Sequence, residues 1–386
     1  PGGQALDEGG GELPEVASHT TIAPLLTTIA RPANLQIVAD AQGNALLAWP
    51  DPAEAYQDAA RVKAARYRRG SGWSAPVTLE AEPGTVRGLA LGVDRNSGWI
   101  VATWHSRIDG ATVERFIRFN PATETWEGLL ERGGAIPPGT PVVTQLAVDG
   151  DGGFVAASTR NVTIDSRPVY RLYAARYRSS SGFETPVLVD ATTPALASDP
   201  GFRLERLPAG GATVVWLRNE GATPSEQSHT LMAATQAGAG QPWQRQVLDT
   251  APATGGLTGP QATNLSLNGR GRGVMSWRRL QQVDGGYQTR ILVSRFDGQW
   301  QPPVMLDERN STVDGATLAV PGARVNGHGD VNVVWWAADA AGYRRLWASR
   351  TDGTPEKQVA PALEPARLID EGTAETDRYS LTSEYD

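Results

Sequence analysis

The sequence predicts an all-β protein, a β-propeller of six four-stranded blades, with seven blades and an incomplete closing blade as the alternative. Three observations carry this. A glycine is followed six residues later by the residue that closes an apolar run, in six copies: Gly43/Trp49, Gly98/Trp104, Gly152/Ser158, Gly210/Trp216, Gly271/Trp277 and Gly329/Trp335. The copies lie 54 to 61 residues apart, the period of stacked units too small to bury their own faces. Apolar residues alternate or run in short bursts between turn residues, and no stretch holds a helical period. Four short antiparallel strands repeated around an axis is the propeller plan.

The first copy shows the elements in order. Residues 35–40 alternate apolar and polar, the pattern of a strand. Residues 40–44 are a turn, where Asp40 can bond its own backbone and Gly43 can take a positive φ. Residues 45–49 form a short apolar strand, residues 62–67 the third strand, and residues 73–79 the fourth, with Pro76 suited to an outer edge. Other copies follow the same grammar. The third strand carries an arginine at a fixed place, Arg66, Arg118, Arg176, Arg295 and Arg350, while the fourth copy has Gln236 in that region. The fourth strand carries an aromatic, Trp73, Trp126, Phe183, Trp243 and Trp300. Nine of the twelve Trp fall at these two repeat positions, which marks Trp here as a packing residue between blades.

The repeat makes one propeller domain of residues 23–386, with blades at about 35–80, 88–131, 144–190, 201–249, 262–308 and 322–370. Residues 1–22 form a Gly-rich acidic tether. Its first 16 residues bury too little to order themselves and are expected to lie on a partner subunit. Residues 23–28 resemble a fourth strand and residues 379–386 a first strand. They either latch a six-bladed ring or belong to a seventh blade.

A net charge of −7 without blocks of like charge argues against a nucleic-acid or anionic-membrane surface. No run of 18 apolar residues exists to span a membrane. Absence of cysteine excludes disulfides, thiolate metal sites and a cysteine nucleophile. It fits an exported bacterial protein, and the tether fits a lipid anchor upstream of Pro1.

Chemistry-bearing motifs are few. The four histidines, His19, His105, His229 and His328, stand at no metal-ligand spacing. Asp149-Gly150-Asp151-Gly152 begins like a calcium loop but lacks the closing bidentate Glu. No metal, cofactor or catalytic residue is therefore expected, and the chain is expected not to be an enzyme. The repeated arginines read as structural forks that bond backbone carbonyls or carboxylates of the same or next blade. The other reading is a ring of pockets in which Trp stacks on a sugar and Arg donates to its hydroxyls. The middle loops at residues 50–60, 160–171, 218–229 and 279–289 vary most, and variable loops on a rigid scaffold carry recognition. Their candidate binding residues are Glu54, Tyr56, Asp165, Arg167, Glu220, Glu226, Asp284 and Tyr287. The function expected is a protein-binding or scaffold module of a bacterial surface assembly. A glycan-binding propeller and a glycoside hydrolase are the alternatives.

The segments 39–49, 64–67 and 72–76 together resemble a repeat of exported bacterial β-propeller proteins with lipoprotein-like leaders and sialidase-like propellers. The resemblance implies an envelope or extracellular location and no particular reaction. Sialidases of this shape use three arginines, a Tyr/Glu pair and an Asp at the propeller centre, and turns of the form Ser-x-Asp-x-Gly-x-x-Trp. No turn here matches, because Gly and Trp stand six apart instead of three. Fucose-type lectins use repeated Arg, Glu and Trp between blades. The Arg and Trp are present, and a repeated Glu is not evident.

Overall fold

Each copy doubles back on itself through its inner turn. The computed structural model describes residues 35–52, 60–80, 85–108, 111–131, 139–164, 166–190, 201–220, 228–251, 259–311, 321–338, 344–351, 363 and 365–368. In the first turn Asp40 Oδ1 accepts from the backbone N–H groups of Gln42 at 3.0 Å and Asn44 at 2.8 Å, and Gly43 takes a φ of +81°. Asn268 does the same for Arg270 and Arg272, and Asn326 for His328 and Asp330. A short acceptor side chain thus nucleates the hairpin in copy after copy.

Among the described residues the chain forms six antiparallel sheets and no α-helix, with one 3₁₀ turn at Pro208–Gly210. The first sheet contains Gln36–Ala39, Ala45–Pro52, Ala60–Arg68 and the edge pieces Gly72–Trp73 and Val77–Thr78. The later sheets begin with Thr85–Val93, Thr140–Val148, Phe202–Leu207, Gly259–Leu267 and Gly322–Val325, and each runs outward in sequence order, the second and third ending, like the first, in two pieces on one strand. The continuous fourth strand expected from the sequence is corrected in the first three sheets. There it is two dipeptides, and Pro76 and Pro186 occupy two of the gaps, where a residue without an N–H cannot extend a ladder. In the fourth and fifth sheets Gln244–Ala251 and Val304–Ser311 run unbroken.

The sheets stack in chain order, first strand beside first strand, from Gln36–Ala39 against Thr85–Val93 to Gly259–Leu267 against Gly322–Val325. The core lies in the layers between sheets. Trp104 packs with Leu46 and Ala64, Trp216 with Val155 and Ala174, and Trp335 with Val274 and Val293. Trp49, Trp104, Trp216, Trp277 and Trp335 are all 2 % exposed or less, and Ser158 is fully buried. Four-stranded units joined face to face through their own repeat residues make this a propeller-type fold. The tether and both terminal strand-like segments lie outside the described residues.

Candidate functional site

A repeated carboxylate holds the tryptophans. In five copies the outer-strand region of the sequence carries an apolar residue followed by an acid: Leu79-Glu80, Val189-Asp190, Leu248-Asp249, Leu306-Asp307 and Ile369-Asp370, the last pair lying outside the described residues. Trp104 Nε1 donates to Glu80 at 2.6 Å, Trp277 Nε1 to Asp249 at 2.7 Å and Trp335 Nε1 to Asp307 at 3.0 Å. These three acids each reach the tryptophan of the next sheet, whereas Trp216 Nε1 has no hydrogen-bond partner among the described residues. The repeated acid is Asp in four copies and Glu only in the first, so a repeated Glu is absent as the sequence indicates. This acid serves the indole and lies in the core.

The third copy exchanges the pair. It has Ser158 in place of Trp, and Arg160, on the same strand face, is 2 % exposed. Arg160 Nη1 stands 3.5 Å from Glu114 Oε2, and its Nη2 donates to Gly139 O at 2.7 Å. Glu114 also accepts from Thr144, which bonds His105 Nε2 at 3.2 Å. Where the other copies bury a tryptophan, this one buries an arginine–carboxylate pair.

Three of the repeated arginines, Arg66, Arg118 and Arg176, lie between sheets. Arg118 Nη1 donates to Gly152 O at 3.1 Å and to Ser179 Oγ at 2.6 Å, and its Nη2 pairs with Glu127. Arg176 bonds Asp149 at 2.7 Å, Gly210 O, and Gln236 at 3.2 Å. Arg66 stands 3.5 Å from Asp40 and over the Phe119 ring at 4.5 Å, with Nε and Nη1 buried and unbonded. Arg295 is half-buried, and burial lowers its pKa; Arg350 is exposed.

A different set of charges converges on the inner strands. Glu205 lies on Phe202–Leu207, and Arg203 two residues earlier shares its strand face. Arg324 is the counterpart of Glu205 in the sixth copy, each five residues before the repeat glycine. Arg95 comes from the inner turn of the second sheet. The positive charges of Arg95, Arg324 and Arg203 all act on the Glu205 carboxyl. Glu205 is half-buried, and desolvation pushes the pKa of its carboxyl up to about 7 against the pull of all three arginines. Side chains stitch the wall around it. Gln145 donates to Phe202 O at 2.6 Å and accepts from Leu204 N at 3.0 Å, and Asn264 accepts from Ala323 N and Arg324 Nη1, both at 3.1 Å. Asn96 of the second sheet also reaches the fifth, with Nδ2 3.8 Å from where a Cβ on Gly269 would stand.

The loop residues singled out from variability are placed elsewhere. Glu54, Tyr56, Asp165 and Glu226 lie outside the described residues. Arg167 and Glu220 stand at strand ends, in Arg167–Arg178 and Gly211–Glu220. Asp284 is exposed and Tyr287 half-buried at the tip of one hairpin. Among the described residues no group of three His, Asp or Glu is placed to hold a metal ion, and no helix is long and apolar enough to cross a membrane.

No family model matches the chain, and no curated protein matches it. Solved structures resemble it at low identity. An α-L-arabinofuranosidase of Fusarium graminearum, complexed with an iminosugar inhibitor, is 12% identical with a TM-score of 0.44, over 85% of this chain and 94% of that one. The Hadza microbial sialidase Hz136 is 12% identical with a TM-score of 0.36, over 82% and 68%. The Dos1 propeller is 11% identical with a TM-score of 0.38, over 86% and 72%. The expectation of a chain that is not an enzyme is corrected by these neighbours, which include glycoside hydrolases. Likeness of this degree assigns no activity, so residues for any reaction have to come from this chain's own geometry.

Proposed function

We propose that this propeller acts on an acidic saccharide at its axis, with Glu205 as the proton donor to the departing glycosidic oxygen. The observation that supports it is that the positive charges of three arginines, drawn from the second, fourth and sixth sheets, act on one half-buried carboxyl. A carboxyl with a pKa near 7 still carries its proton in half of the molecules at neutral pH, which suits a general acid. Three positive charges facing one half-neutral acid leave a surplus of positive charge, on a chain whose net charge is −7. That local surplus favours an anionic sugar over a neutral one. In this reading the six sheets are the blades of one closed ring, and export to the cell envelope or beyond would place the site where acidic polysaccharides are met.

The test is hydrolysis of a panel of aryl glycosides, acidic and neutral, by wild type and Glu205→Gln. Activity on an acidic member should fall as pH rises through about 7, because the proton is lost from Glu205 there. Glu205→Gln should lower it by about 10²-fold or more. Wild-type rates indistinguishable from buffer across the panel would end the proposal.

A further inference from the structure

Copies five and six place an asparagine before a glycine at the head of the inner turn, Asn268-Gly269 and Asn326-Gly327, where copies one to three have Asp40, Asp94 and Asp149. The side chain of such an asparagine is open to attack by the next backbone nitrogen, because glycine has no Cβ to shield that nitrogen. The fold decides between the two pairs. Asn326 Oδ1 accepts from His328 N at 3.0 Å and from Asp330 N at 2.9 Å. Both donors lie beyond Gly327 in the chain, so they hold the carboxamide folded forward over the Gly327 peptide. They also stand where negative charge gathers on Oδ1 when its carbon is attacked, as the donors of an oxyanion hole do. Asn268 makes the same contacts, to Arg270 N and Arg272 N. Its Nδ2, however, donates to Asn326 O at 2.8 Å and to Gly327 O at 3.4 Å, and the residue is 5 % exposed. That nitrogen cannot depart without breaking the tie between the fifth and sixth turns. Asn326 and Gly327 are half-buried, so water reaches them, and Asn326 Nδ2 donates to Asp330 Oδ2 at 3.0 Å.

The sixth turn is built so that such a change is felt. Asn326/Asp330 and Asp40/Asn44 are one pair written in opposite order, since Asn44 Nδ2 donates to Asp40 Oδ2 at 2.9 Å. Each of these two turns therefore closes on one acid and one amide. A carboxylate in place of the Asn326 amide removes the donor and sets two like charges at hydrogen-bond distance, which works against both the contact and the charged state of either acid.

We propose that Asn326 is a site of spontaneous deamidation, and that its conversion loosens the sixth turn. The Gly327 nitrogen bonds to the side-chain carbon of Asn326 and gives up its proton. The Cγ–Nδ2 bond breaks, and Nδ2 takes up a proton and leaves as ammonia. Water then adds to either carbonyl of the resulting succinimide ring and opens it, which leaves aspartate or isoaspartate at position 326. Water is the one co-reactant, and no oxidant or reductant is consumed.

The experiment ages the full chain in mildly alkaline buffer and follows both asparagines by peptide mass spectrometry, with isoaspartyl methyltransferase labelling to count the isomerised product. Asn326 should convert. Asn268 should convert about tenfold more slowly or less, since its amide must first give up two carbonyl acceptors. Gly327→Ala shields the attacking nitrogen and should slow conversion at Asn326. Melting then separates the consequence from the chemistry. Asn326→Asp should melt below wild type at neutral pH. Asn326→Asp/Asp330→Asn rebuilds the acid-then-amide order of the first turn and should recover most of that loss. An intact Asn326, or one that converts no faster than Asn268, would overturn the site. A melt of Asn326→Asp equal to wild type, or no recovery in the double variant, would overturn its effect on the turn.

Discussion

Asp249 accepts two donors where water has little access. Trp277 Nε1 reaches it at 2.7 Å and Arg279 Nε at 2.9 Å, and its own side chain is 0% exposed. Removing the acid strands an indole N–H and a guanidinium in the core, whereas removing the tryptophan leaves a cavity. Both costs are large and of similar size, about 3–5 kcal/mol for truncating a buried Trp and about 3–5 kcal/mol for breaking a buried ion pair. Asp249→Ala is therefore expected to lower the melting temperature as far as Trp277→Ala, although it deletes far fewer atoms. A small loss for Asp249→Ala beside a large one for Trp277→Ala would mean that the acid is incidental. The acid could have been read from the sequence, since it follows an apolar residue in five copies. It escaped because it is Glu once and Asp four times, and because its distance from the strand aromatic shifts between Trp243/Asp249 and Trp300/Asp307. Spacing inside a strand is readable; the stretch that leads into it is not, and Trp243 stands directly before Gln244–Ala251 whereas three residues part Trp300 from Val304–Ser311.

At the scale of a sheet, the interface between the third and fourth shows what burial does to such an acid. Asp190 is 1 % exposed and stands 3.8 Å from Arg171, and desolvation raises its pKa to about 6 despite that partner. A folded pKa above the unfolded one means that the fold holds a proton the unfolded chain has released. Stability then falls as pH rises from about 4 to about 6 and is flat above, by an amount on the order of 3 kcal/mol. Melting temperatures across that window should show the decline, and Asp190→Asn should flatten it. An equal slope in the variant would assign the decline to other groups. The sheet also marks the limit of sequence reading. Turns such as 40–44 are legible because donor and acceptor lie within four residues. Glu205 is not, because its three arginines come from positions 95, 203 and 324, and only the stacking of whole sheets brings them together.

For the whole molecule the open question is how the first sheet meets the last. Trp49 is 1 % exposed, and its Nε1 has no partner among the described residues. It packs with Leu47 and Ala65 on the face of the first sheet turned away from the second. The acid that the repeat would bring to it is Asp370, which lies outside the described residues. A six-bladed ring joins these two, whereas a seventh blade would separate them. A double-mutant cycle of Trp49→Phe and Asp370→Asn should give a coupling of about 1 kcal/mol or more in unfolding free energy in the first case. Strict additivity would favour the longer ring.

The repeated acid also makes three of the contacts directional. At each of them a sheet gives a carboxylate to the tryptophan of its successor, as plug to socket. Such head-to-tail joints carry no instruction to stop; only the angle of the wedge decides when the circle is full. A whole repeat could be gained or lost by duplication without rewriting a single joint, except where Glu114 meets Arg160. There the lock has been recut, and the second and third blades are bound to each other as a matched pair that any such shuffling would have to carry along intact.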